Sequence, residues 1–157
     1  GATRSLTQSL AIVEFLDAVA RAENGPSLFP ADALAAARAR EMAEIINSGT
    51  QPLQNLAHLK ALAALADGVD AKASVAKPAI EKGLAAVEAL AAPDGPYLVG
   101  GHVSIADACL APQLYNARRF GVDLGTFPRL LAVEKRLEGH PAFAAARPER
   151  QPDAVPP

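Results

Sequence analysis

The chain has 157 residues, enough to bury one good hydrophobic core, and its net charge of −2 excludes the basic field that nucleic acid or an anionic membrane surface requires. Half of the residues are hydrophobic, yet tryptophan is absent and aromatics make up only 4%, so alanine and leucine carry the apolar content and favour helix over strand. A single cysteine, Cys109, leaves no disulfide framework and points to a reducing, cytoplasmic compartment.

Residues Gly1 to Thr7 read as a strand end or loop. The apolar run from Leu6 to Ala20 is interrupted by Gln8, Glu14 and Asp17, which rules out a signal peptide or a membrane span. Leu10, Ile12, Val13, Phe15, Leu16 and Val19 instead predict an amphipathic helix that begins near Gln8 and Ser9 and stops before Asn24-Gly25-Pro26. Asp32 caps a helix from Ala33 to about Asn47, with Leu34, Arg38, Met42, Ile45 and Ile46 along one side and Gly49 beyond its end. Pro52 fits the first position of the next helix, where Leu53, Leu56, Leu59, Leu62 and Leu65 recur until Asp67-Gly68. Residues Val69 to Ala76 are a weakly defined connection. Pro78 then starts a helix in which Ile80, Leu84, Val87 and Ala91 share a face, and Ala92-Pro93-Asp94-Gly95-Pro96 closes it.

The stretch Val103 to Leu110 opens the helix around which the rest is organised. Ser104 and Asp107 form an aspartate version of the capping box. Ile105, Ala106, Ala108, Cys109, Leu110, Ala111, Leu114 and Ala117 leave almost no polar face, so this helix is expected to be surrounded on all sides and to bend at Pro112. Beyond the bend Gln113, Tyr115, Asn116, Arg118 and Arg119 give it a polar, cationic end. After Gly121 a short helix spans Pro128 to Glu138, stopped by Gly139, and one more turn follows from Pro141 to Ala146. The proline-rich tail from Arg147 to Pro157 is irregular. The expectation is an all-α bundle around a buried central helix.

Little in the residues announces chemistry. His58, His102 and His140 lack the spacing of a metal site, and Cys109, with no His or Lys nearby in sequence, reads as packing. No phosphate loop, dinucleotide fingerprint or nucleophile elbow is present. Glu41, Glu44, Glu81 and Glu88 read as solvated helix faces. Three polar clusters remain. Gln8-Ser9 sits at a helix N-terminus, either an ordinary cap or a place where free N–H groups receive a carboxylate. Gln51, Gln54 and Asn55 put three amides in the first turn of a helix, either as helix-start polarity or as a site. Tyr115 and Arg119 share a face beside Asn116, and Arg119 is either a surface charge or a grip for a carboxylate.

Leu6-Thr7-Gln8-Ser9-Leu10-Ala11-Ile12, Gln51-Pro52-Leu53-Gln54-Asn55-Leu56 and Asn116-Ala117-Arg118-Arg119-Phe120-Gly121-Val122-Asp123-Leu124 together resemble the zeta class of glutathione transferases, the maleylacetoacetate and maleylpyruvate isomerases. Arg150-Gln151-Pro152-Asp153 is similar too, whereas the Ser104–Asp107 capping box is shared by the wider superfamily. The resemblance implies that residues 1–24 are the last strand end and helix of a thioredoxin-like domain and residues 25–157 the all-helical C-terminal domain. It implies that Gln8, Ser9 and Gln51 hold glutathione, that Arg119 binds the substrate carboxylate with Tyr115, Gln54 and Asn55 nearby, and that the protein is a cytoplasmic homodimer.

The implied reaction is a glutathione-dependent cis–trans isomerisation of a maleyl group to the fumaryl product in aromatic catabolism. The family's thiolate-stabilising serine motif and its cis-proline loop would both lie upstream of Gly1, so the chain contains no catalytic residue of its own. Ser74-Val75-Ala76-Lys77-Pro78 departs from relatives that carry tryptophan there, and Leu56-Ala57-His58 favours the maleylacetoacetate type over the maleylpyruvate type. The alternative is a non-catalytic, glutathione-transferase-like helical interaction module. Retention of Gln8, Ser9, Gln51 and Arg119 together favours the enzyme.

Overall fold

The structure is a computed structural model that describes residues 5–65 and 68–154. Among these residues every regular element is helical: α1 (Ser9–Ala22), α2 (Ala33–Glu44), α3 (Leu56–Leu65), α4 (Lys77–Leu90), α5 (Ile105–Arg119), α6 (Pro128–Glu138) and α7 (Pro141–Ala145), joined by shorter π and 3-10 turns. The all-α expectation holds. Ser5 to Thr7 is irregular, and the other residues of the expected strand end, together with Asp67 and positions 155–157 of the tail, lie outside the described residues.

Helix α5 is the axis. Its capping box forms, and the Asp107 carboxylate does more than close the first turn. One oxygen accepts from the Ser104 N–H at 2.8 Å and from the Ser104 hydroxyl at 2.7 Å, while the other accepts from the Leu98 N–H at 2.9 Å. Asp107 and Leu98 are both fully buried. Burial pushes the Asp107 carboxyl above its ordinary value, against the pull of these donors. From α5, Ala106, Leu110, Leu114 and Ala117 join Met42, Ile46, Ile80, Leu84, Leu130 and Val133 in the main core, while Ile105 packs with Leu10, Ala39 and Ala43. The helix is not enclosed on every side, however. Pro112 and Tyr115 lie on an exposed flank, and α5 continues through the proline to Arg119.

The boundaries differ from the sequence reading where the backbone changes pitch. Helix α2 ends at Glu44, three residues early, and passes into a π-helical turn over Ile45–Thr50 and a 3-10 turn over Gln51–Gln54. Pro52 sits in that 3-10 turn rather than starting α3, which begins at Leu56. The weakly defined connection contains a second π-helical turn, Lys72–Ala76, that runs directly into α4. Leu34 is 74% exposed, and the buried side of α2 is Ala39, Met42 and Ala43 instead. In α3 only Leu59 is buried, and Leu56, Leu62 and Leu65 face outward. A leucine repeat specifies a helix, but burial needs a surface opposite it, and the described residues provide one only for Leu59.

Two carboxylates, Glu88, which reads as a solvated charge, and Asp17, which reads as a break in an apolar run, are structural. Glu88 accepts from the N–H groups of Arg129 and Leu130 at 2.9 and 3.0 Å, capping the start of α6 from α4. Arg129 in turn donates through Nη2 to the carbonyls of Ala92 and Gly95, clamping the loop after α4. Asp17, 3% exposed, accepts from the Leu28 N–H at 2.7 Å, the Arg21 Nε at 2.9 Å and the Ser27 hydroxyl at 3.0 Å. Burial opposes its ionisation, but the three donors prevail and hold the carboxyl below its ordinary value. Helix α1 is thereby tied to the loop that follows it, after Asn24 has turned the chain with a φ of 58°.

Gly83 explains how closely the chain passes α4. A Cβ there would lie inside van der Waals contact with the Thr50 hydroxyl, which itself donates to the Ile45 carbonyl at 2.9 Å. Gly83→Ala is expected to destabilise the fold by roughly 1–3 kcal/mol, measured by urea unfolding, although alanine is the better helix former. Asp107→Asn places an N–H₂ against a donor pair and should cost about 1–3 kcal/mol. Because the native Asp107 carboxyl titrates above the ordinary 3.8, its contribution falls as pH rises through that window, so the gap between wild type and variant should narrow toward neutrality. The half-buried Cys109 thiol is pushed up to about 11 by burial and by Glu44. Its alkylation by iodoacetamide at pH 8 should be about a hundredfold slower in the native protein than in denaturant.

Candidate functional site

The polar end of α5 meets the turn after α2 through a chain of amides. Gln54 and Gln113 are both buried, 7% and 1% exposed, although 59 residues separate them. The Gln54 Nε2 donates to the Gln113 Oε1 at 2.7 Å, and the Gln113 Nε2 returns to the Gln54 Oε1 at 3.4 Å. That same Gln54 oxygen accepts from the Asn116 Nδ2 at 3.3 Å, and the Asn116 Oδ1 accepts from the Arg119 Nη1 at 3.4 Å. Arg119 is exposed, and among the described residues it has no carboxylate partner. Its neighbour Arg118 is different: a bidentate pair with Glu134 at 2.7 and 2.6 Å ties α5 to α6 and raises the Arg118 pKa.

Of the sequence candidates, the structure therefore brings Gln54, Asn116 and Arg119 together, and Tyr115 lies beside them, 45% exposed. Gln51 is half-buried in the same 3-10 turn as Gln54. Asn55 is the cap of α3: its Oδ1 accepts from the Ala57 N–H at 2.9 Å, and its carbonyl accepts from the Leu59 N–H. Gln113 reads from sequence only as part of the polar end of α5, not as a site residue. The available signal was a polar side chain directly after Pro112 in an otherwise apolar helix, where an amide must find a buried partner.

Gln8 and Ser9 stand at the start of α1. Gln8 occupies the cap position with a φ of 74°, its carbonyl accepts from the Ile12 N–H, and no side chain caps the helix. Among the described residues the first N–H groups of α1 therefore have no side-chain cap, a setting that can receive a carboxylate. Glu14 pairs with Arg40, and Leu10 clusters with Ala39, Ala43 and Ile105. These contacts set α1 against α2 and the start of α5. Among the described residues no side-chain hydrogen bond links Gln8, Ser9 or Gln51 to the amide chain.

The histidines have structural places. His140 caps α7 by accepting the Ala142 N–H at Nδ1 and packs edge-on against Phe143, and His58 Nδ1 lies 3.1 Å from the Pro52 carbonyl. Among the described residues no helix is long and apolar enough to cross a membrane.

Comparison with known proteins bears on the fold. Residues 11–146 match the family described as glutathione S-transferase, C-terminal domain. The chain is 44% identical over 155 residues to "Probable maleylacetoacetate isomerase 2" of Drosophila melanogaster, covering 97% of this chain and 64% of that protein. It is 41% identical over 150 residues to the maleylacetoacetate isomerase of Rattus norvegicus, covering 95% and 66%. The chain thus spans just under two thirds of the length of these relatives.

Among solved structures, the maleylacetoacetate isomerase of Anaeromyxobacter dehalogenans, with dicarboxyethyl glutathione and citrate bound in its active site, superposes with a TM-score of 0.90 at 44% identity, covering 100% of this chain and 70% of that one. The maleylpyruvate isomerase of Pseudomonas aeruginosa superposes at 0.86 with 40% identity, covering 97% and 80%. With its capped central helix, its helical bundle and these matches, the chain belongs to the glutathione S-transferase C-terminal domain family.

Proposed function

We propose that this chain is the helical, substrate-gripping part of a zeta-class glutathione transferase that converts maleylacetoacetate to its fumaryl isomer, with maleylpyruvate as the alternative substrate. The observation that carries the reading is Arg119: a guanidinium without a carboxylate partner among the described residues, held by Asn116 at the end of a buried amide chain, with Tyr115 on the same helix face. A side chain in that setting receives a substrate carboxylate through charge-assisted hydrogen bonds. The maleylacetoacetate isomerase with dicarboxyethyl glutathione and citrate in its active site supports a carboxylate-rich ligand. The names of the relatives favour the enzyme over the interaction module.

In this reading glutathione supplies the thiol nucleophile that adds to the activated alkene and later leaves it. The residues present fit its γ-glutamyl end: the uncapped first turn of α1 offers N–H groups to a carboxylate, and the exposed Gln8 and Ser9 side chains add polar contacts. Gln51 contributes from the turn. Arg119 and Tyr115 orient the substrate, while Gln54 and Asn55 shape the site from beneath and beside it. Residues 1–24 are read as the end of a thioredoxin-like half. The exposed Phe15, Leu16 and Val19 of α1 support this, being an apolar surface of the kind that half would cover. Unpaired Cys109 supports a reducing cytoplasm, and the outward leucines of α3 offer apolar area for homodimer pairing.

Steady-state kinetics with maleylacetone and glutathione, on the protein as its host produces it, test the proposal. Arg119→Ala removes a charge-assisted bond and is expected to lower kcat/KM by about 10- to 150-fold, with most of the loss in KM. Unchanged kinetics would remove Arg119 from the site.

A further inference from the structure

We propose that Gln113 is a positioning residue for the substrate-binding guanidinium, acting through Gln54 and Asn116; the proposal rests on the assignment of Arg119 to the substrate carboxylate. Gln113 is buried, and among the described residues its amide hydrogen-bonds only with the amide of Gln54. Its effect follows from the two-sidedness of an amide, which has an oxygen that accepts and a nitrogen that donates.

Arg119 can only donate, so Asn116 must present its oxygen to it. The Asn116 nitrogen then faces Gln54, which must present an oxygen in turn. With that oxygen committed, the Gln54 nitrogen points to Gln113, whose own oxygen receives it at 2.7 Å. Turning any one amide over sets donor against donor or acceptor against acceptor. The three amides therefore form one unit with two concerted states, and only one of them accepts the Arg119 guanidinium. Gln113 closes the unit at its buried end and makes the shortest bond in it.

Without Gln113, Gln54 loses the buried partner that anchors its amide in place, its oxygen is no longer held against the Asn116 nitrogen, and Asn116 is freed to turn. The guanidinium then samples orientations in which the substrate carboxylate is gripped poorly.

The experiment compares Gln113→Met, Gln113→Glu and the double variant Gln54→Met/Gln113→Met with Arg119→Ala, in the protein as its host produces it. Thermal midpoints are recorded beside KM and kcat for maleylacetone at saturating glutathione. Gln113→Glu keeps an oxygen facing the Gln54 nitrogen and should leave KM within about twofold of wild type, while lowering the midpoint because an acid is buried. Gln113→Met should raise KM by about three- to tenfold with a smaller change in kcat. The double variant removes both buried amides, so it should keep a near-native midpoint and still raise KM.

Gln113→Glu and the double variant are thus expected to rank in opposite orders by stability and by KM. If KM instead follows the midpoint across the series, Gln113 is only structural and the proposal falls. If Arg119→Ala raises KM and both methionine variants leave it unchanged, the positioning role fails while the site assignment stands. If Arg119→Ala itself leaves KM unchanged, the site assignment fails and the positioning role with it. Should Gln113→Glu not fold, the double variant alone decides.

Discussion

A single buried carboxylate carries the architecture. Asp107 gathers three donors from two separate places in the chain: the cap of α5 and the loop that arrives from α4. Placing an acid where water cannot reach is unfavourable, and its raised pKa is the sign of that cost. The return is positional. Leu98 can enter the core only because its N–H has a partner, and the start of α5 can be buried only because its cap is satisfied. With that corner fixed, Arg129 clamps the same loop from α6 and Glu88 caps α6 from α4, so three helices are referenced to one point.

The polar end of α5 uses the same logic with neutral groups. Gln54 and Gln113 are buried amides that satisfy each other, and through Asn116 they reach a surface cation. What brings Gln54 there is the change of pitch after α2. The widened π turn and the tightened 3-10 turn swing the Gln51–Gln54 segment inward, and Gly83 lets it lie against α4 without a clash. Polar contacts in a core specify direction where methyl groups specify only volume. In this chain that direction runs from the middle of α5 outward to Arg119.

Periodicity and caps made much of this readable. Asp32, Ser104 and Asp107, Pro128, Gly139 and the stripe Ile80, Leu84, Val87 define their helices locally, and each falls where the structure has it. Features whose cause lies far along the chain were hidden. Glu88 looks solvated until residues 129 and 130 arrive above it, and Asp17 looks like a break in an apolar run until Leu28 folds back. Gly83 is merely a poor helix former without Thr50, and the leucines of α3 carry the right repeat with no statement of what they face. Arg119 was legible as a candidate, because a cation leaving an apolar helix is unusual in itself. The amides beneath it were not all legible, because burial of a glutamine shows only when its partner, 59 residues away, is known.

Helix α3 has one further consequence. It is secured to the body by Leu59 against Ala71, Ala76 and Phe120, with Asn55 holding its base. So few buried contacts place it at the low end of local stability, far below the free energy that holds α5. Its base, Asn55, directly follows Gln54, whose side chain is fixed in the interior. A fixed interior amide and a loosely held helix therefore share one peptide bond, so that α3 can shift while the buried pair beneath it stays in place.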